Sequence, residues 1–276
     1  MNEDANRAAI LKHYEEEIRE EDRITKGLGQ LELVRTQEIL RRHLPKAPAD
    51  ILDIGGATGV YAAGLAADGY RVHIVDLSPR HVEKARTDLG PRGVTAEVGD
   101  ARELSAADAS FDVVLVFGPL YHLVDRDERV RALVEARRVV RPGGIVAVAA
   151  VNRFASLLAG LKVDHLNDPD FRAIVERDLR EGQHRNPHDR TDWFTTAFFH
   201  HPAELRDEVV ASGLELVELV GVEGMGVWLS SSDAQWETEA GRESILFAAR
   251  ATESESTLLG LSPHLIAVAR AADSAS

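Results

Sequence analysis

The sequence predicts an α/β protein built on a doubly wound, mostly parallel sheet, with helices at its N-terminus and an inserted lid. Two observations carry this expectation. Short apolar runs at 51–54, 72–75, 94–98, 113–117 and 145–151 are separated by helix-length segments, and strands that alternate with helices form parallel sheets because each crossover returns over a face of the sheet. The first run breaks into the glycine turn Gly55-Gly56-Ala57-Thr58-Gly59, at the strand end where open α/β sheets take their ligands.

Taken in order, residues 6–44 read as two amphipathic helices. Ile10, Leu11, Tyr14 and Ile18 recur at helical spacing between acidic residues, and a glycine-containing break at 27–29 separates the two helices. Five βα units then fill 50–151, with helices at 61–68, 79–89 and 126–140, the last stopped by Pro142-Gly143-Gly144. The pattern is interrupted at 152–201, a stretch rich in His, Arg, Asp and aromatic residues that contains Asn186-Pro187 and reads as an insertion over the sheet. A helix at 202–211, a strand at 214–222, a helical stretch at 233–257 and a strand at 264–270 bring the strand count to seven. One domain is expected over 1–276: a helical lid at 1–45, a ligand-binding core at 50–151, the substrate-side insertion at 152–201, and the C-terminal part of the sheet at 202–270.

Composition excludes several function classes. A chain of 276 residues, 44% hydrophobic, can bury a full core. Its net charge of -14 repels a phosphate backbone and no Lys/Arg stripe offsets it, so a nucleic-acid partner is not expected. The absence of cysteine removes disulfides, thiol nucleophiles and thiolate metal sites. No run approaches the roughly 20 apolar residues that span a bilayer, and acidic residues 1–21 lack an apolar signal core, so the expectation is no membrane partner and a cytoplasmic protein.

Three strand ends carry candidate ligand-binding groups. Asp76 closes the second apolar run about 20 residues beyond the turn, where a carboxylate accepts hydrogen bonds from a ribose diol, although Leu77-Ser78-Pro79 also makes it a helix-start residue. Asp100, in Val98-Gly99-Asp100-Ala101, stands where a carboxylate can accept an exocyclic amine of adenine. Phe117-Gly118-Pro119-Leu120-Tyr121-His122 ends the fourth run and delivers aromatic and polar groups to the same edge.

Asp53-Ile54-Gly55-Gly56-Ala57-Thr58-Gly59, Asp76, Gly99-Asp100-Ala101, Phe111-Asp112 and Arg141-Pro142-Gly143-Gly144 resemble the successive motifs of class I S-adenosylmethionine methyltransferases, over about residues 50–151. The resemblance implies S-adenosyl-L-methionine as cofactor, methyl transfer as reaction, and a Rossmann-like sheet ending in an antiparallel hairpin, which 214–222 and 264–270 match. It puts Asp53, Gly55, Gly56, Ala57 and Gly59 at the methionine end, Asp76 on the ribose, and Asp100 with Ala101 beside the adenine. Leu77, Phe117 and Tyr14 complete the expected cofactor set; Arg23 is a further candidate to face it, although a surface partner among Glu20, Glu21 and Asp22 is the stronger expectation for that residue. Ala57 departs from the family's usual glycine and narrows the turn by a methyl. A dinucleotide site would want glycines where Ala57 and Val60 stand. A carboxylate at Asp53 would also oppose a pyrophosphate, whereas it suits a ligand with an ammonium and a sulfonium.

Methyl transfer is an in-line displacement in which positioning supplies roughly 7–11 kcal/mol and a general base only ~10²–10⁴-fold in rate, so no obvious base is required. His122 is the candidate base, because it follows the fourth strand, where the family places the methyl-accepting centre. Tyr121 is the candidate to orient or stack the acceptor; packing of both rings against the next helix is an equal reading. Gly118-Pro119-Leu120-Tyr121 lacks the leading amide or carboxylate of relatives that methylate base amines.

A small-molecule methyl acceptor is therefore expected, with His184 and Trp193 of the insertion as its candidate contacts. For Tyr14, helical spacing suits core packing equally. His184 and His188 share a metal-like spacing that Pro187 interrupts, and no established ligand set completes a site, so no metal is expected. The N-terminal helices leave a homodimer by exchange open. The alternatives are a module that binds the cofactor without transfer, and a protein or RNA methyltransferase, which an enclosing lid opposes.

Overall fold

A computed structural model describes residues 26–188, 190, 193–229 and 232–273. The expected first helix, with Tyr14 and Arg23, lies outside them, as do residues 189 and 192. The central strands are mostly apolar on both faces, because both faces of the sheet are covered. Leu52, Ile54, Val114, Val116, Val146 and Val148 pack into a core on one side of the sheet. Their neighbours Ile51, Val113, Leu115, Ile145 and Ala147 pack on the other. Successive side chains of a strand point to opposite faces, so each uninterrupted run feeds two cores at once.

The strands are β1 (Asp50–Ile54), β2 (Arg71–Asp76), β3 (Thr95–Val98), β4 (Phe111–Val116), β5 (Val140–Val151), the short pair β6 (Gln183–His184) and β7 (Ala197–Phe198), then β8 (Glu215–Gly221) and β9 (His264–Arg270). Seven of them form one sheet in the order β3-β2-β1-β4-β5-β9-β8. The first five are parallel, and β9 enters antiparallel between β5 and β8, pairing Val151 with His264. The order reverses between β1 and β4, so the chain leaves these two neighbours in opposite directions and a crevice opens at their carboxyl ends.

The helices are α1 (Gly29–Arg41), α2 (Val60–Ala67), α3 (Pro79–Leu89), the single turn α4 (Pro119–His122), α5 (Arg126–Val139), α6 (Ala155–Lys162), α7 (Pro169–Glu181), α8 (Pro202–Ala211), α9 (Ser232–Trp236) and α10 (Glu239–Thr252). Ile39 of α1, Leu65 of α2 and Val82 of α3 share one face of the sheet. Leu133 of α5 and Leu205 of α8 share the other. Ser78 starts α3 by accepting from the His81 N–H, with Pro79 at the first helical position, and Asp125 starts α5 by accepting from the N–H groups of Asp127 and Glu128.

Three expectations are corrected. The βα alternation lapses between β3 and β4, where residues 101–110 offer Leu104 as their one large aliphatic side chain and no helical stripe to bury. The segment is pinned to α5 instead: Arg138 donates to the carbonyls of Leu104 and Ala106 at 2.9 and 2.8 Å, and Glu135 accepts from the Leu104 N–H at 2.9 Å. Pro142-Gly143-Gly144 is not a separate loop but the irregular start of β5, and a Cβ on Gly144 would lie 2.8 Å from the Asp112 carbonyl oxygen of β4. The stretch at 233–257 is two helices, broken before Thr238, whose hydroxyl caps α10 by accepting from the Gly241 N–H.

The insertion folds as α6, α7 and the β6–β7 ladder around Phe171, Ile174, Val175 and Trp193. It is tied to the body through Arg129. That guanidinium bonds Glu208 of α8 at 2.6 Å with both side chains 2% exposed, donates to the carbonyls of Leu123 and Val124, and lies 3.6 Å from the centre of the Phe198 ring. His200, held below the usual imidazole value by its burial, donates to the same carboxylate at 3.2 Å. Removing one member of such a pair leaves a buried charge without its counterpart. Glu208→Ala is expected to lower unfolding free energy by about 3–5 kcal/mol in urea denaturation; a loss below about 1 kcal/mol would show that Arg129 finds other compensation.

Candidate active site

The glycine turn after β1 is shaped by what touches it. Gly55 has φ +74° and its N–H donates to Val75; a Cβ there would sit 2.5 Å from Cδ of Pro119. Gly56 leaves its missing Cβ 2.6 Å from Oδ2 of Asp53. Ala57 stands at φ +47°, in the left-handed region where a side chain costs roughly 1–2 kcal/mol, which is the physical sense of the family's usual glycine there. Its N–H donates to Oδ2 of Asp76 at 3.0 Å, while Oδ1 accepts from the Ser78 N–H at 2.9 Å and from His81 Nδ1 at 3.3 Å. Asp76 is thus fixed from both sides, and Oδ2, which accepts the Ala57 N–H, keeps a further lone-pair direction for a ligand.

Asp53 lies under the turn, fully buried, and neither of its oxygens has a hydrogen-bond partner. Burial first, and the negative charge of Asp76 second, push its carboxyl up to about 7. An orphaned acid in this position sets a negative potential behind Gly56 that a cationic ligand group relieves.

One cavity runs along the carboxyl edge of the sheet. Gly55, Gly56, Ala57, Asp76, Leu77, Asp100, Ala101, Phe117, Tyr121 and His122 all line it. Phe117 meets Tyr61 edge-on with ring centres 5.4 Å apart. Asp100 is held by Arg102, whose Nη2 lies 2.7 Å from Oδ2; Arg102, the one Lys or Arg among the described lining residues, also bonds Glu128.

Four expected residues are not part of that wall. Gly59 begins α2 at φ +91° and is pressed against Leu89, where a Cβ would be 2.4 Å from Cδ1; its task is helix packing. Asp53 acts from beneath the surface. His184 is buried in the insertion, with Nδ1 2.7 Å from Asp178, Nε2 3.2 Å from the Phe194 carbonyl and its ring stacked on Phe199. Trp193 is 3% exposed, between Phe171 and the guanidinium of Arg190. The insertion's aromatic and imidazole groups pack against one another instead of lining the cavity. None of its described residues lines the cavity. It bears on the site from behind, through Phe194, whose ring centre is 6.3 Å from that of Tyr121 and 6.1 Å from that of His122.

The structure adds residues that sequence reading passed over. Glu32 and Thr36 come from α1, and His264 and Ile266 from β9. The signal for His264 was present: an antiparallel strand begins where its parallel neighbours end, so its first residue arrives at the ligand edge.

The donor set fits a ligand with a ribose diol and positive charge and without phosphate. It pairs Asp76 and Asp100 with the glycine turn, and Arg102, the one Lys or Arg among the described lining residues, is already engaged. Residues 51–144 match the family model described as a methyltransferase domain. Over 210 residues the chain is 33% identical to a ubiquinone biosynthesis O-methyltransferase of Azorhizobium caulinodans, covering 71% of this chain and 74% of that one.

The chain belongs to the class I S-adenosylmethionine-dependent methyltransferase family. It is 38% identical over 121 residues to a 27-O-demethylrifamycin SV methyltransferase of Amycolatopsis mediterranei, covering 41% of this chain and 43% of that one. The solved structure of an S-adenosylmethionine-dependent methyltransferase from Mesorhizobium loti superimposes with a TM-score of 0.59 at 18% identity, over 87% of this chain and 99% of that one. S-adenosylmethionine is the cofactor of this methyltransferase.

A carboxyl that binds its proton more tightly in the fold contributes stability that is full below its unfolded value, near 3.8, and is lost as pH rises toward about 7. Asp53→Asn is therefore expected to stabilise the ligand-free enzyme at pH 8 by about 2–4 kcal/mol, with the gain shrinking as pH falls below about 7 toward 3.8. Urea denaturation at several pH values reads this directly, and a gain independent of pH would show that Asp53 is not the titrating group.

Proposed function

We propose that this methyltransferase transfers a methyl group to a hydroxyl of a small, largely apolar metabolite in the cytoplasm. The observation that carries the reading is a single cavity with Asp76 at one end and the Tyr121–His122 ring pair, centres 4.6 Å apart, at the other. Ala149, Ala150 and Ile266 give the acceptor end apolar walls. The relatives' names support the acceptor class: an O-methyltransferase of ubiquinone biosynthesis, a 27-O-demethylrifamycin SV methyltransferase, and a 2-methyl-6-phytyl-1,4-hydroquinone methyltransferase of Synechocystis, 41% identical over 106 residues, 37% of this chain and 32% of that one. The net charge of -14 disfavours an RNA acceptor. No helix among the described residues is long and apolar enough to cross a membrane.

In this reading Asp76, preset by the N–H groups of Ala57 and Ser78, accepts the ribose hydroxyls. Leu77 and Phe117 border the cofactor, Asp100 and Ala101 flank the adenine, and the turn from Gly55 to Ala57 receives the methionine end above Asp53. When bound, S-adenosylmethionine supplies an electrophilic methyl on a sulfonium. The protein's part is to hold the acceptor in line with it. Tyr121 and His122, seated on Phe194, form a firm wall for that purpose, and alignment of this kind is worth roughly 7–11 kcal/mol.

Incubating the enzyme with methyl-labelled S-adenosylmethionine and a panel of phenols, hydroquinones and hydroxylated polyketides tests the class; label entering only protein or RNA would overturn it. Asp76→Ala is expected to weaken S-adenosylmethionine binding about 10- to 100-fold in calorimetry, the equivalent of a charge-assisted hydrogen bond, and unchanged affinity would remove Asp76 from the site. His122→Ala is expected to leave that affinity intact while raising the acceptor KM and slowing transfer. Normal turnover would reduce His122 to a packing residue.

A further inference from the structure

The acceptor end of the cavity holds a second imidazole, and its setting differs from that of His122. His264 opens β9 beside Val151, the last residue of β5, and lines the cavity with Ala150 and Ile266. Its Nδ1 lies 2.5 Å from Oε1 of Glu223, which directly follows Val222 beyond the end of β8. Glu223 is 3% exposed and is itself held in place: its Oε2 accepts from the His264 backbone N–H at 3.2 Å and lies 3.1 Å from the Ser262 hydroxyl, which also receives the N–H groups of Glu223 and Gly224.

We propose that His264, oriented by Glu223, is the catalytic residue that takes the proton of the acceptor hydroxyl during methyl transfer. This rests on the reading of the acceptor as an alcohol or phenol. Three observations support it. The first is placement: His264 lines the cavity beside Ala150 and Ile266 with the buried Glu223 carboxylate on its ring, whereas His81, the lining histidine that meets Asp76, follows β2 in the cofactor half.

The second is tautomer. A carboxylate accepts only, so Nδ1 carries the proton and the lone pair of the neutral ring falls on Nε2. An imidazole held this way by an acid has the orientation and the counter-charge that a general base needs.

The third is charge. Burial acts to raise the Glu223 carboxyl, but the positive charge and hydrogen bond of His264 outweigh it and hold Glu223 below the usual carboxylate value. Glu32 of α1 presents Oε2 3.7 Å from Nδ1 and adds a second negative charge, and the Arg35 guanidinium, bonded to the neighbouring Val222 carbonyl at 3.2 Å, ion-pairs with Glu38 and Glu253. Among the described groups packed around it, the carboxylates nearest the ring favour the imidazolium that forms.

The step balances without a further reagent. The acceptor O–H bond breaks and its proton passes to Nε2 of His264. The acceptor oxygen forms the new bond to the methyl carbon, and the pair of the broken S–C bond stays on sulfur, so the positive charge moves from the sulfonium to the imidazolium beside Glu223.

Nitrogen-edited NMR of the enzyme saturated with S-adenosylhomocysteine, with histidine labelled in the ring, tests the dyad without an acceptor. The expected result is a His264 whose neutral ring is protonated on Nδ1, with Glu223→Gln moving its titration to lower pH because it removes the charge favouring the imidazolium. A neutral ring protonated on Nε2 would overturn the proposal. So would a titration unmoved by Glu223→Gln, or His264 signals shifted by added Mg²⁺ or Zn²⁺, which would make Glu32, Glu223 and His264 a cation site. With catechol as the probe acceptor, His264→Gln is expected to lower kcat ~10²–10⁴-fold and to leave S-adenosylhomocysteine affinity within about threefold by calorimetry. Retained turnover overturns the base role and leaves the acceptor class standing. A wild-type enzyme that methylates no phenol or alcohol overturns the acceptor class, and the NMR result then judges the dyad on its own.

Discussion

The reversal of strand order between β1 and β4 is the constraint on which the rest of the enzyme depends. Two parallel neighbours whose connections leave in opposite directions cannot both be covered at their carboxyl ends, so the sheet keeps an opening there. Every group assigned to the cofactor half comes from a strand end at this opening or the turn that follows it: Gly55 to Ala57 after β1, Asp76 at the end of β2, Asp100 after β3, Phe117 after β4. The turn and Asp76 are moreover one unit, since the Ala57 N–H closes on the carboxylate. The acceptor half uses the same edge further along, through α4, the end of β5 and the start of β9.

Buried charge is handled in two opposite ways. Arg129 and Glu208 are fully compensated by each other, by His200 and by two backbone carbonyls, and their work is to clamp the insertion and α8 to α5. Asp53 has no compensation within the described fold. A group left in that condition costs stability in the free enzyme and returns it when a positive ligand group arrives, so part of the fold's stability is conditional on the cofactor.

The cofactor half was legible in the sequence because it is local. Each of its residues sits at a fixed offset from an apolar run, and those runs matched the observed strands to within a few residues. Ala57 was recognised as unusual, and the left-handed backbone it adopts gives the reason. The acceptor half was not legible in this way. His184 and Trp193 read as ligand contacts because chemistry-bearing residues crowd the insertion, yet Asp178, Phe171 and Arg190 absorb them within the insertion itself. His264 and Glu223 were missed because 41 residues separate them and only the β8–β9 pairing brings them together. The lapse between β3 and β4 was hidden for a similar reason: Arg138 and Glu135, which hold that segment, belong to a later helix.

The position of β9 has a consequence for the order in which the molecule is completed. β8 precedes β9 in the chain but lies outside it in the sheet, so β8 has no partner until β9 has settled against β5. Val151 and His264, which pair at that junction, are separated by more than a hundred residues, and closing so long a loop makes this a late event in folding. During synthesis the chain therefore passes through a stage in which the β1–β4 crevice is complete while the wall supplied by His264 and Ile266 is still missing. Such an intermediate has the elements to hold the methyl donor before it has the surface that aligns an acceptor, and transfer waits on the last strand to join.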